Sequence, residues 1–277
     1  MNIGEIMRRD GKRLQDVLGL DAQEAGIEVR CLLQGVLDVG RAYLMTHPER
    51  TLDADESSRY AGFVERRLRG EPVAYILGWR EFFGHVFRVT NDTLIPRPDT
   101  ELLVELVLSH AKEQASILDM GTGSGAIAIS IALARKDLGV VALDASRAAL
   151  EVAMANAEAL NASNVRFLES DWFSNLGNER FDVIASNPPY VEAGDPHLKD
   201  LGFEPSGALV SGRDGLDDMR RIVAQAGAHL NPGGWLMLEH GCDQAASVRG
   251  LLRQSGFAEV SSARDISGIE RVSMGRA

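Results

Sequence analysis

Cysteine is almost missing from this chain. Two occur among 277 residues, Cys31 and Cys242, far apart and in no metal-ligand spacing. The sequence therefore predicts neither a disulfide framework nor a cysteine-based metal site, and no metal at all, but two reduced thiols in a cytoplasmic protein. Long apolar runs are missing too. The longest mainly apolar stretch, Ala126 to Ala134, falls far short of the roughly 20 residues that a membrane span needs, so no membrane association is expected. The N-terminal stretch MNIGEIMRRDGKR lacks the apolar core of a secretion signal. Positive charge is in deficit. The formal net charge is −11, and residues 81–277 carry 17 Lys and Arg against 27 Asp and Glu. Direct nucleic-acid binding leans on a basic face, which makes DNA or RNA a disfavoured partner. What is present is ordinary for a globular protein: 45% hydrophobic and 25% charged residues. A chain of this length buries roughly 75% of its unfolded surface without help from staples.

The first 75 residues read as a helical bundle. Val29, Leu32, Leu33, Val36 and Leu37 fall on one helical face. Tyr60, Phe63, Val64 and Leu68 mark a second helix, from about Asp53 to a stop at Gly70-Glu71-Pro72. Phe83, His85, Phe87 and Val89 then alternate as a strand does, and Asn91-Asp92 is a turn signal, together a short β-hairpin linking two domains. Pro96 and Pro98 impose an extended lead-in, and Asp99 or Thr100 is positioned to cap the next helix. From Ser116 the pattern alternates: strand 117–119, helix 124–134, strand 139–143, helix 148–160, then strands 165–168, 181–185 and 235–238. Such alternation predicts an α/β fold with a doubly wound, mostly parallel sheet, whose ligands sit beyond the C-terminal strand ends.

Two of those strand ends carry unusual chemistry. The first runs into Asp119-Met120-Gly121-Thr122-Gly123-Ser124-Gly125, where alternate glycines let the backbone turn tightly against a ligand. Asp144 closes the next strand, 21 residues after Gly123, at the spacing where a carboxylate meets ribose hydroxyls. The G-x-G-x-G form differs from the dinucleotide fingerprint. It resembles the first motif of doubly wound S-adenosylmethionine-dependent methyltransferases, in which Trp172, after the third strand, would stack on the adenine. A nicotinamide-dependent oxidoreductase would want a third glycine one place later.

The fourth strand runs into Asn187-Pro188-Pro189-Tyr190. Asn187 and Pro188 both precede a proline and are pushed toward extended dihedrals, and the prolines have no N–H. The segment offers carbonyl acceptors in a pre-set geometry, with few donors and one flat ring. That suits a planar NH2 group: the Asn187 side-chain oxygen and the Pro188 carbonyl accept its two N–H bonds, and Tyr190 stacks on its plane. A non-catalytic binding module would have no need of Asn187.

Further motifs stand in order along the chain: Gly70-Glu71-Pro72, Gly78 with Glu81-Phe82, LIPRPDTE (94–101), GTGSGAIA (121–128), SDWF (170–173), SNPPY (186–190), DPHL (195–198), Phe203-Glu204-Pro205 and LEHG (238–241). Over about residues 10–274 the sequence resembles the peptide chain release factor glutamine methyltransferases. The resemblance implies a Rossmann-like methyltransferase domain (96–277), an N-terminal helical substrate-docking domain (1–75) and a hairpin linker (76–95). It implies transfer of a methyl group from S-adenosyl-L-methionine to the glutamine amide of the GGQ motif in bacterial class I release factors, by a protein expected to act as a monomer. Cofactor contacts would fall on Gly121, Thr122, Gly123, Ser124, Gly125, Asp144, Trp172 and Asn187, with Thr100 and Glu101 also facing the cofactor. Substrate contacts would fall on Asn187, Pro188, Pro189 and Tyr190, of which Asn187, Pro188 and Tyr190 would be catalytic. Lys199-Asp200-Leu201-Gly202 forms a shorter loop than in the family. The alternative is an exocyclic-amine methyltransferase acting on adenine or guanine, which shares the Asn-Pro-Pro-Tyr motif but should bring a basic groove.

Overall fold

A computed structural model describes residues 1–277, and the chain divides between Gly78 and Trp79 into two units. The first unit holds α1 (Ile3–Leu18), α2 (Ala22–Leu37), α3 (Arg41–Thr46), α4 (Ala54–Leu68) and α5 (Val73–Leu77). Helices α1, α2 and α4 begin alike. Asn2, Asp21 and Asp53 accept from the backbone N–H of Glu5, Glu24 and Glu56, whose side chains accept from the N–H of the capping residue. Each reciprocal pair satisfies donors that a helix start leaves open. Leu14, Val29, Leu32, Leu33, Val36, Tyr60 and Val64 meet in one core, with Leu37 only partly buried at its edge.

The second unit opens with β1 (Trp79–Phe82) and β2 (His85–Arg88), followed by α6 (Glu101–His110), β3 (Ser116–Met120), α7 (Ala126–Ala134), β4 (Gly139–Asp144), α8 (Arg147–Ala159), β5 (Val165–Glu169), β6 (Phe181–Ser186), α9 (Asp217–His229), β7 (Leu230–Glu239), α10 (Ala245–Gln254), β8 (Ala258–Arg264) and β9 (Glu270–Arg276). Seven strands form one sheet in the order β5-β4-β3-β6-β7-β9-β8. Strands β3 to β7 are parallel; β9 runs antiparallel to β7, and β8 to β9. The central strands are buried on both faces. Ile117 and Val183 enter one core, Leu118 and Ile184 another on the opposite side. Near-continuous apolar runs such as Val183-Ile184-Ala185 follow from that double burial.

The hairpin turns at Phe83-Gly84, both at positive φ (50° and 74°), as two-residue hairpin turns require. Asn91-Asp92 instead lies beyond the hairpin, where Asp92 N–H bonds the Thr90 hydroxyl. The hairpin also packs as part of the second unit rather than as a separate linker, with Phe82 and Phe87 in its main core. Helix α7 starts after Gly125, not at Ser124. Gly125 sits at φ 83°, and a Cβ there would lie 2.7 Å from Ile129 Cδ1 and 3.1 Å from Ala153 Cβ, so this glycine serves close packing between α7 and α8. Strand β7 begins at Leu230, five residues before the expected Trp235. The intervening Asn-Pro-Gly-Gly lies within the strand at a register shift against β6, where Gly233 takes φ 78° and a Cβ on Gly234 would meet the Asp182 carbonyl at 2.9 Å.

Asn156 on α8 is fully enclosed and joins two distant segments. Its Oδ1 accepts from Arg88 N (2.8 Å), and its Nδ2 donates to Arg88 O (3.0 Å) and Ser124 O (2.8 Å). The hairpin and the glycine-rich turn are thereby tied to one helix. Asn156→Ala leaves the buried Ser124 carbonyl unpaired, along with the part-buried Arg88 backbone groups, and a buried unpaired group costs about 1–3 kcal/mol; urea unfolding should show a loss of about that size, with the transition slope unchanged.

Candidate active site

Strand order reverses direction between β3 and β6, the place where doubly wound sheets bind ligands. The last rungs of that pairing are Asp119 against Ala185 and Met120 against Ser186, and the Ser186 hydroxyl donates to the Met120 carbonyl at 2.7 Å. The two chemically unusual loops therefore leave the sheet side by side. A cavity of about 430 Å³ opens there, lined among others by Gly121, Gly123, Asp144, Trp172, Asn187 and Pro189.

The glycine-rich turn is held from below. Gly121 and Thr122 N–H both donate to the Leu143 carbonyl (2.9 Å each). Asp144 accepts from Gly123 N (2.9 Å) on Oδ2 and from Ser146 N (2.9 Å) on Oδ1, which leaves each oxygen a lone pair for a ribose hydroxyl. Burial raises the Asp144 carboxyl above its ordinary value. Trp172 stands at φ 49°, a strained region for a bulky residue that costs about 1–3 kcal/mol. Its indole N–H donates to Asp218 Oδ1 (3.1 Å), and Asp218 Oδ2 accepts from the Ser211 hydroxyl (2.8 Å). A Cβ on Gly121 would lie 3.7 Å from the indole, so the ring lies directly against the turn.

Not every expected cofactor residue reaches the cavity. The Thr122 hydroxyl points back to Asp119 Oδ2 (2.7 Å), Ser124 is buried, and Gly125 serves packing. Glu101 and Thr100 do not line it either. Glu101 accepts from Phe83 N (2.8 Å), and no side chain caps α6. Thr100 instead accepts from Asn187 Nδ2 (3.2 Å), while no protein donor reaches Asn187 Oδ1. Pro189 lines the cavity; Pro188 is buried and Tyr190 half-buried, both outside the lining. The Tyr190 phenol, pushed up to about 12 chiefly by burial, stays protonated, and its carbonyl accepts from Gln244 Nε2 (3.0 Å).

Leu94 and Pro205, each from one of the ordered motifs, also line the cavity, as do Ala208 and Arg221, which carry no local signal. The loop after β6 is anchored by Glu204, which is buried, accepts from Ile95 N (3.0 Å) and pairs with Arg97. The expected short segment 199–202 lies outside the lining. His240 is buried and bonds Ser273 Oγ (2.8 Å) and the Gly241 carbonyl (2.9 Å). His197 is exposed and pairs with Asp195. No group of three or more His, Cys, Asp or Glu is arranged to hold a metal ion, and no helix is long and apolar enough to cross a membrane.

Comparison with known proteins gives this site a context. The PrmC N-terminal domain family matches residues 14–78, and the Methyltransferase small domain family residues 98–200. The release factor glutamine methyltransferase of Burkholderia pseudomallei is 51% identical over 260 residues, 90% of this chain and 91% of that protein. Its namesake from Bordetella pertussis is 48% identical over 267 residues, 95% and 98% of the two chains. The chain belongs to the release factor glutamine methyltransferase family. A methyltransferase structure from Pyrococcus furiosus, 23% identical, shares the fold with a TM-score of 0.55 over 78% of this chain and 98% of that one. Family membership fits the cavity. Its volume lies within the range of about 300–1,000 Å³ usual for cofactor sites, and its carboxylate, indole and Cβ-free turn match the ribose, base and methionine parts of S-adenosylmethionine.

Asp119 lies beneath the turn, wholly buried, with Oδ1 unpartnered. Burial pushes its carboxyl from 3.8 to about 7, against hydrogen bonds from Thr122 and Ala128 that favour the charge. A raised folded value means that the folded state holds the proton more tightly than the unfolded chain. This contribution to stability is full below about pH 4, fades as pH rises through about 7, and is gone above it. Urea midpoints measured across that window should fall less with rising pH in Asp119→Asn than in the parent.

Proposed function

We propose that this enzyme transfers the methyl group of S-adenosyl-L-methionine to the side-chain amide nitrogen of the glutamine in the GGQ motif of bacterial class I release factors. The observation that carries the reading is Asn187. Its amide nitrogen is engaged by Thr100, and its carbonyl oxygen remains open at the edge of the cavity. An acceptor-only face beside a cofactor pocket suits a group that presents only N–H donors, as a substrate carboxamide nitrogen does.

Bound S-adenosylmethionine supplies an electrophilic methyl group on a sulfonium. In the proposed arrangement Asn187 Oδ1 and the Pro188 carbonyl accept the two N–H bonds of the substrate amide, and Tyr190 and Pro189 bound its plane. The amide nitrogen forms the new C–N bond as the S–C bond breaks, the electron pair of that bond going to sulfur, and the nitrogen then sheds one proton. Amide delocalisation, seen in a rotation barrier of about 18–20 kcal/mol, makes this nitrogen a poor nucleophile. Hydrogen bonds worth about 0.5–1.5 kcal/mol each do not offset that loss. Positioning supplies about 7–11 kcal/mol, and pre-set acceptors strengthen as positive charge develops on nitrogen. No base is needed before transfer, because the proton becomes acidic only as the methyl arrives. On the cofactor side, Trp172 stacks on the adenine and Asp144 holds the ribose.

The helical unit is proposed to dock the release factor, and the enzyme to work as a cytoplasmic monomer without direct contact to nucleic acid or membrane. An adenine or guanine acceptor presents the same planar NH2, yet residues 81–277 carry ten more acidic than basic side chains, against the basic face such substrates require.

Labelled S-adenosylmethionine incubated with release factor, a Gln→Ala release factor and DNA or RNA should label the first alone. Label on nucleic acid, or label that survives Gln→Ala, overturns the assignment. Asn187→Ala should cut transfer by about two orders of magnitude or more, the scale of losing one pre-set electrostatic partner, while cofactor affinity falls far less. Trp172→Ala should do the reverse, weakening cofactor binding in calorimetry by about 1–3 kcal/mol, the worth of one stacked base.

A further inference from the structure

Glu239 ends β7, the strand beside β6, and is 2% exposed. The β6–β7 pairing ends with Ser186 opposite Leu238, so Asn187 and Glu239 follow it on neighbouring strand ends. Thr100 and Asn187, as donors, favour the charged form of the Glu239 carboxyl, Asp99 and Arg271 stand near with opposing charge, and Tyr190 senses it. Arg97 also faces Tyr190. Glu239 Oε2 has no hydrogen-bond partner. As a packing residue this is a poor choice, since a buried carboxylate without a close counter-ion is costly and an apolar side chain would close the strand more cheaply.

The charge has a use at Asn187. A carboxamide has two chemically opposite ends of nearly the same shape. Rotated by half a turn, Asn187 would present Nδ2 donors to a substrate nitrogen that also presents only donors. Thr100 cannot prevent this, because a hydroxyl donates as readily as it accepts and serves either end. An ionised carboxylate only accepts, so beside it Nδ2 is favoured and Oδ1 is not. We propose that Glu239 is a positioning residue that, as a carboxylate, fixes the Asn187 carboxamide with Nδ2 inward and Oδ1 toward the substrate amide. The inference rests on Asn187 as the ligand of that amide.

Burial pushes the Glu239 carboxyl up to about 7, so the orienting charge is present above that pH and lost below it. A protonated carboxyl donates as well as accepts and no longer discriminates. The test is the single-turnover rate of methyl transfer from labelled S-adenosylmethionine to release factor, from about pH 5.5 to about pH 8.5. Full-length parent, Glu239→Gln and Asn187→Ala enzymes are compared under saturating substrates. The parent rate should fall as pH drops through about 7. Glu239→Gln carries a donor at every pH; its rate should be about 10-fold lower or less than that, one tenfold per lost 1.4 kcal/mol, and flat across the range. Its KM for release factor and its cofactor affinity should stay within about 3-fold of the parent, since the residue lies outside the cavity lining. Loss confined to the rate, together with the vanished acid limb, is what a merely structural role would not produce. A Glu239→Gln enzyme with the parent rate and the parent pH profile overturns the proposal. So does a parent rate that is flat with pH, which keeps the test open even if the variant does not fold. Full activity in Asn187→Ala overturns the assignment of the amide clamp itself; an inactive Asn187→Ala beside a fully active Glu239→Gln sinks this inference alone.

Discussion

The hydrogen bond from the Ser186 hydroxyl to the Met120 carbonyl, at the last rung of the β3–β6 pairing, is the contact on which the site depends. Parallel pairing brings two C-terminal strand ends level, and the reversal of strand order keeps any helix from covering them both. The glycine-rich turn and the Asn-Pro-Pro-Tyr segment then start from neighbouring points on a rigid floor. A slip of one residue would turn each strand's buried side chains to the opposite face, so the two cores on either side of the sheet fix the register. Transfer between a cofactor and an acceptor is sensitive to small misplacements, and the sheet supplies the needed rigidity without any loop having to supply it.

Three carboxyls at these strand ends, Asp119, Asp144 and Glu239, are held largely or wholly out of water, and burial raises each of them. Each accepts from, or faces, a donor on a functional loop. Asp119 holds Thr122 and the start of α7, Asp144 holds Gly123, and Glu239 faces Thr100 and Asn187. Buried acidity of this kind is a poor device for stability. It suits a site that receives a cationic sulfonium, whose charge is favoured by surrounding negative potential. The left-handed backbone at Trp172 belongs with these costs. The Asp218 bond to the indole retains a conformation that the residue would otherwise leave.

The parts of this arrangement that were legible in the sequence are those governed by local rules. Apolar periodicity marked α2 and α4, and near-continuous apolar runs marked β3, β4 and β6, because strands buried on both faces must be apolar throughout. Local rules misled where a neighbour overrode them. The apolar run predicts a strand only from Trp235, yet β7 begins at Leu230, with Gly233 at φ 78° and the Asp182 carbonyl leaving no room for a Cβ on Gly234. Phe83 reads as a strand residue, yet it occupies a left-handed turn position. Strands β8 and β9 are rich in Ser, Arg and Glu and carry little apolar alternation. They are strands because β7 offers an edge to β9, and β9 in turn offers one to β8.

The sequence by itself determined the class of chemistry. A Cβ-free turn, a carboxylate 21 residues on, and a donor-poor prolyl segment after a strand each follow from residue type and spacing, since steric freedom and hydrogen-bonding capacity are properties of the residues. Only the tertiary structure decided which of those residues reach the cavity and what holds them. Thr122, Ser124 and Gly125 turned to scaffold roles, while Asn156, Glu204, Asp218 and Glu239, from four separate segments, became the supports. A hydrogen bond between residues such as Thr100 and Asn187, 87 positions apart, depends on how the strands are ordered in the sheet, and no local pattern in the chain encodes that order.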